Sequence, residues 1–214
     1  MRFHLISSFL LLGSFYNCLP VFAQTNNLNK DFVSAVAAFN ATSKNDDFAK
    51  LLSRFEQIEK NSNTKDWVPA YYISLLYTRL SFNHKKEADA YAEAAVVWAK
   101  KSIAIQANDE NYCALSMAQT AKMSVSPYLR WIKYEKKIYD PLFIAKKLNP
   151  NNPRVYILEA SLKMNIPLLF GGGCENSKPM LFKAKQLMDK LAPNPILPSW
   201  GKQSLVELKE ACPF

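Results

Sequence analysis

The stretch Lys146-Lys147-Leu148-Asn149-Pro150-Asn151 (KKLNPN) has a near copy in Asp189-Lys190-Leu191-Ala192-Pro193-Asn194 (DKLAPN), and the two prolines stand 43 positions apart. Each copy ends an apolar helical pattern with proline and asparagine, residues that stop a helix and set a turn. The same interval taken backwards reaches Ala107, at the end of the helical run Ser102 to Asn108, and then Thr64, in a polar turn. Self-similarity at a fixed interval is the mark of stacked supersecondary units, and four such units nearly fill the chain.

The apolar residues between these breaks recur at helical spacing. Phe32, Val33, Val36 and Phe39 form one stripe, and Phe48, Leu51, Leu52, Phe55 and Ile58 form the next. Asp66 opens a third helix whose first turn accepts Pro69, and Ala88, Ala92, Ala95 and Ala99 give the fourth a face of small residues. A fifth helix is predicted from Asp109 as its cap, and a sixth from Tyr128 to Leu148 with a kink or restart at Asp140-Pro141. Helices follow from Arg154, from about Ser177 to Leu191, and from Trp200 to Ala211. No strand is predicted. The pattern is all-α: about four irregular antiparallel helical hairpins and a C-terminal capping helix.

The residues Ala145 to Pro153, with Tyr156 and Ala160 in the following helix, resemble the signature of the tetratricopeptide-repeat (TPR) family. The resemblance implies a TPR-like α-solenoid, although the interval here exceeds that family's repeat of about 34 residues. The C-terminal third also resembles a group of secreted bacterial TPR-like proteins. Asn152-Pro153-Arg154-Val155-Tyr156, Phe170-Gly171-Gly172-Gly173 and Pro195 to Gly201 carry that likeness, which implies a fold and brings no established activity.

The N-terminus has a basic start, an apolar run from Leu5 to Phe15 and small residues at Val21-Phe22-Ala23. This predicts a secretory signal peptide over residues 1–23, cut after Ala23, with residues 24–214 as a single repeat domain exported to the periplasm or beyond. The mature chain has no further run long enough to span a bilayer. The formal charge of +9 falls to +8 with Arg2 removed. The lysines occur as scattered pairs, such as Lys85-Lys86 and Lys100-Lys101, on what read as solvated faces, so no nucleic-acid partner is expected.

Cys113, Cys174 and Cys212 remain in a compartment where disulfides form. Cys174 precedes one helix and Cys212 follows the antiparallel one, which brings both to the same end of a hairpin and predicts a Cys174–Cys212 bridge. Cys113 lies on an apolar face and reads as a buried, inert residue. With His84 alone in a turn and no Cys-x-x-Cys pair, no metal site or cofactor is expected.

Gly171-Gly172-Gly173 before a helix has the makings of an anion-binding nest, but no phosphate-loop pattern follows. It reads instead as a structural joint that, with the later prolines, directs Trp200 toward the closing helix. Trp67, Tyr71, Tyr72 and Tyr77 are candidates for an aromatic groove. Glu87, Asp89 and Glu93 read as a solvated helix face paired with Lys85, Lys86 and Lys100. No nucleophile, base and orienting group assemble, so no catalytic residues are assigned. The sequence favours an exported scaffold offering a concave surface to a protein or peptide partner. An extracytoplasmic solute- or polymer-binding component is the alternative, and an enzyme the third reading.

Overall fold

A short polar side chain closes the backbone at four regularly spaced points of the chain. Asp66 Oδ1 accepts from the Val68 N–H at 3.0 Å, Asn108 Oδ1 from Asn111 at 2.9 Å, and Asn152 Oδ1 from Arg154 at 2.8 Å. Asn194 Oδ1 takes two such bonds, from Ile196 at 3.0 Å and Leu197 at 2.9 Å. These four positions are spaced 42, 44 and 42 residues apart, so the interval in the sequence is a structural period. Each satisfies backbone donors that a helix start or turn leaves open.

The computed structural model describes residues 30–42, 45–61 and 66–214. The expected signal peptide, residues 1–23, lies outside them. Among the described residues there are nine α-helices and no strand: α1 (Lys30–Ala41), α2 (Asn45–Asn61), α3 (Val68–Asn83), α4 (Ala88–Ile105), α5 (Asp109–Ser124), α6 (Pro127–Leu148), α7 (Pro153–Met164), α8 (Cys174–Met188) and α9 (Lys202–Ala211). A 3₁₀ turn, Leu168–Phe170, lies between α7 and α8. Each helix packs on its neighbour in sequence, and α3, α5, α7 and α9 also pack on one another in that order. The result is an α-solenoid with these odd-numbered helices as one layer and α4, α6 and α8 as the other.

Hydroxyl groups staple the two layers. Ser74 Oγ on α3 donates to the Ala95 carbonyl of α4, and Ser116 Oγ on α5 donates to the Ile138 carbonyl of α6, both at 2.9 Å. Ser81 adds a bond to Ala88 at 2.8 Å. Such backbone contact needs close approach, and the alanine face of α4 permits it: Ala92, Ala95 and Ala99 are fully buried. α3 is buried on nearly every side, as expected of a helix apolar all round. Tyr72 forms the hub of its core, with the rings of Phe39, Phe55 and Phe32 at 5.0, 5.1 and 6.3 Å.

Several helix boundaries differ from expectation, and three of these differences have a clear physical cause. Asn108, and not Asp109, caps α5, which frees the Asp109 carboxylate to accept from Asn149 and Asn152, both at 2.8 Å. α6 does not restart at Pro141: the helix continues, and Asp140 lies inside it beside Lys136 at 3.8 Å. The lost hydrogen bond is compensated by burial of Pro141 and Leu142. α8 begins at Cys174 rather than Ser177, because Asn176 Nδ2 and Ser177 Oγ bond back to the Gly172 and Gly173 carbonyls, each at 2.8 Å.

Cys174 and Cys212 are joined, with Cα atoms 5.4 Å apart and 38 positions between them in sequence. The bridge ties the start of α8 to the end of α9. Cys113 is free and fully buried, and burial pushes its thiol well above the ordinary range, which leaves it unreactive. Replacing both bridged residues, Cys174→Ser with Cys212→Ser, is expected to cost about 4 kcal/mol by loop closure and to lower the midpoint of thermal unfolding by roughly 10 °C. Circular dichroism melts of the oxidised wild type and the double variant check this.

Candidate functional site

The layer of odd-numbered helices encloses a cleft of about 390 Å³, within the range of small-molecule sites. Each helix contributes residues at helical spacing, so one stripe per helix faces inward. α3 supplies Leu75, Arg79 and Phe82, and α5 supplies Met117 and Thr120. α7 brings Leu158, Ser161 and Leu162 over a floor that includes Ile157, and α9 closes the row with Ser204, Glu207 and Leu208. Trp200 stands between them as a wall. Most of this lining is apolar, with Arg79 and Glu207 as its charged groups.

Trp200 owes its position to a buried polar network. Its indole Nε1 donates to the Tyr71 hydroxyl at 2.6 Å, and that hydroxyl bonds to Glu110 Oε2 at 3.3 Å. Glu110 Oε1 accepts from Arg154 Nη1 at 2.9 Å and from Asn152 Nδ2 at 2.8 Å. Arg154 Nη2 donates to the Pro198 carbonyl, and the guanidinium lies 5.4 Å from the Trp200 ring centroid. Burial lifts the Glu110 carboxyl above the usual carboxylate range, while Arg154 and the Asn152 and Tyr71 donors oppose the rise. The network joins α3, α5 and α7 to the proline-rich strap before α9.

The strap exists because the capping helix α9 cannot start at the repeat interval. After Asn194, Pro195 and Pro198 withhold N–H groups, and the chain stays irregular as far as Trp200. Gly201 then turns with φ of +116°, and a Cβ there would lie 2.6 Å from Met188 Cε and 3.0 Å from Ile157 Cδ1. Only glycine lets the strap enter α9 this close to α7 and α8.

The four aromatics expected to form a groove are placed elsewhere. Tyr71 and Tyr72 are fully buried, and burial pushes both phenols well above their ordinary values. Trp67 packs edge-on against Tyr71, with centroids 5.6 Å apart. Tyr77 donates to Glu56 on α2 at 2.8 Å, and partial burial together with that bond pushes its hydroxyl up to about 12. The physical reason is area: large rings lying between three helices contribute most when withdrawn from water. The face of α3 that meets the cleft is instead that of Leu75, Arg79 and Phe82. Trp200, expected only as part of a joint, is the aromatic that lines it.

The glycine joint offers no open N–H donors for an anion nest. The N–H groups of Gly171, Gly172 and Gly173 are taken by the carbonyls of Leu168, Pro167 and Lys163 at 2.9, 3.2 and 3.0 Å. A Cβ on Gly172 would collide with the Ile166 carbonyl. Asp89 pairs with Arg130 of α6 and Glu93 with Lys122 of α5, in place of the expected Lys85, Lys86 and Lys100. His84 caps the end of α3 and lies outside the cleft lining.

No protein-family model and no curated protein matches the chain. Among solved structures, it is similar to the HusA haemophore from Porphyromonas gingivalis. The likeness is 29% in sequence with a TM-score of 0.76, and it covers 85% of this chain and 90% of that one.

Removing one partner of the buried pair strands the other. Glu110→Ala is expected to cost about 3–5 kcal/mol, whereas Glu110→Leu combined with Arg154→Met costs less than that single replacement. Urea unfolding of the single and double variants measures the coupling, and strictly additive losses would contradict it.

Proposed function

We propose that this chain is an extracytoplasmic, non-catalytic binding protein for haem or a closely related porphyrin, held in the cleft of the odd-numbered helix layer. The observation that carries this reading is the similarity to the HusA haemophore over nearly the whole fold. The cleft supports it in kind. Haem is a flat, largely apolar ring with carboxylates at one edge, and the lining is apolar and aromatic with a single cation. A disulfide suits an oxidising compartment outside the cytoplasm.

This reverses the order in which the sequence alone ranks the alternatives. A scaffold for a protein partner follows from helical repeats in general, whereas solute binding draws on a particular cleft and a particular neighbour. The relation of this repeat to the TPR family also remains part of the proposal: the 42- to 44-residue period and the helix pairing support a TPR-like origin.

Titration of the purified mature protein with haemin is expected to shift the Soret band and saturate at a defined stoichiometry with a dissociation constant of about 1 μM or tighter, corresponding to roughly −8 kcal/mol. Absence of a saturable shift beyond that given by a control protein of matched charge would contradict the reading.

A further inference from the structure

Arg54, Arg130 and Arg154 each hold a carboxylate, from Asp31, Asp89 and Glu110 respectively. Arg79, the remaining described arginine, forms no ion pair among the described residues, yet it is half-buried and lines the cleft. Its guanidinium carbon lies 4.2 Å from the Phe39 ring centroid and 5.1 Å from that of Phe48. Such contacts hold the group against the two rings, and no hydrogen bond among the described residues uses its N–H donors.

A guanidinium held against apolar walls has lost much of its water, and no carboxylate among the described residues pairs with it in exchange. Burial lowers its proton affinity, and the interaction left to it is with an incoming anion. The planar fork matches a carboxylate, to which it can make two parallel bonds. Glu207, the carboxylate of the lining, belongs to α9 at the other end of the helix row. The charges thus orient an asymmetric ligand, with its anionic edge toward α3 and its apolar body toward α7 and Trp200.

We propose that Arg79 is a carboxylate-binding subsite, so that the cleft takes a flat apolar molecule bearing an ionised carboxylate and enters it carboxylate-first at α3. This rests on reading the cleft as a ligand site, and extends it by naming the group that recognises the anionic edge.

The test compares protoporphyrin with its dimethyl ester, by fluorescence quenching, on the mature wild type, Arg79→Lys and Arg79→Gln. Circular dichroism confirms that each variant is folded. The wild type is expected to bind the free acid about tenfold to a hundredfold more tightly than the ester, the gain of a charge-assisted pair. Arg79→Gln removes the preference, and Arg79→Lys keeps part of it because it retains charge without the fork. Equal binding of acid and ester by the wild type, or an acid preference undiminished in Arg79→Gln, overturns the proposal. If the wild type binds neither porphyrin, the haem reading fails separately. The subsite is then judged with 1-pyrenebutyrate and its methyl ester: an Arg79-dependent preference for the acid upholds it, and no such preference overturns it.

Discussion

The ion pair between Arg154 and Glu110, at 2.9 Å in the interior, is the interaction on which the shape of the cleft depends. Taking two charges out of water costs several kcal/mol for each, so such a pair persists only where other bonds complete it. Here Asn152 and Tyr71 satisfy the carboxylate, and the Pro198 carbonyl takes a second guanidinium donor. Arg154 Nε alone stays buried without a partner. The pair adds little net stability. Its contribution is specificity, because a strap placed anywhere else would leave a buried cation without its bonds.

From that constraint the rest follows in order. The fixed strap holds the Trp200 indole against Tyr71, and Gly201 lets the chain turn into α9 against Met188 and Ile157. The disulfide then secures the far end of α9 to the start of α8. Between these ties, the inner stripes of α3, α5, α7 and α9 keep a constant separation, and a preformed apolar cleft remains. Preformed sites bind with less loss of conformational freedom, which suits the proposed role of ligand capture.

Much of the fold was legible in the sequence because it rests on local physics. The near copy of Lys146–Asn151 at Asp189–Asn194 marked a true period, and the alanine stripe of α4 announced a close helix contact. Cys174 and Cys212 could be paired from helix geometry alone. Pro141 misled because burial against neighbouring helices outweighed its local cost. Asp109 misled because Asn108, one residue earlier, provides the same capping chemistry.

The site was less legible because its residues are 30 to 130 positions apart in sequence. Tyr71 and Tyr72 drew attention as aromatics, but burial area decides their place, and helical spacing does not say which face meets a core and which a cleft. Arg154 had one signal that could have exposed it: a charge placed between an Asn-Pro cap and the apolar run Val155–Leu158 must find a buried partner. Arg79, set among Leu76, Leu80 and Phe82, carries the same signal, and no carboxylate among the described residues pairs with it.

Backbone amide shift mapping during titration with a diamagnetic porphyrin tests the account most directly. It predicts perturbations grouped on the inward stripes of α3, α5, α7 and α9 and on Trp200, with the outward faces of α4 and α6 unchanged. Perturbations confined to the exposed start of α6 around Tyr128 and Ile132, or to the Leu168–Phe170 turn, would place the ligand outside the cleft and contradict it.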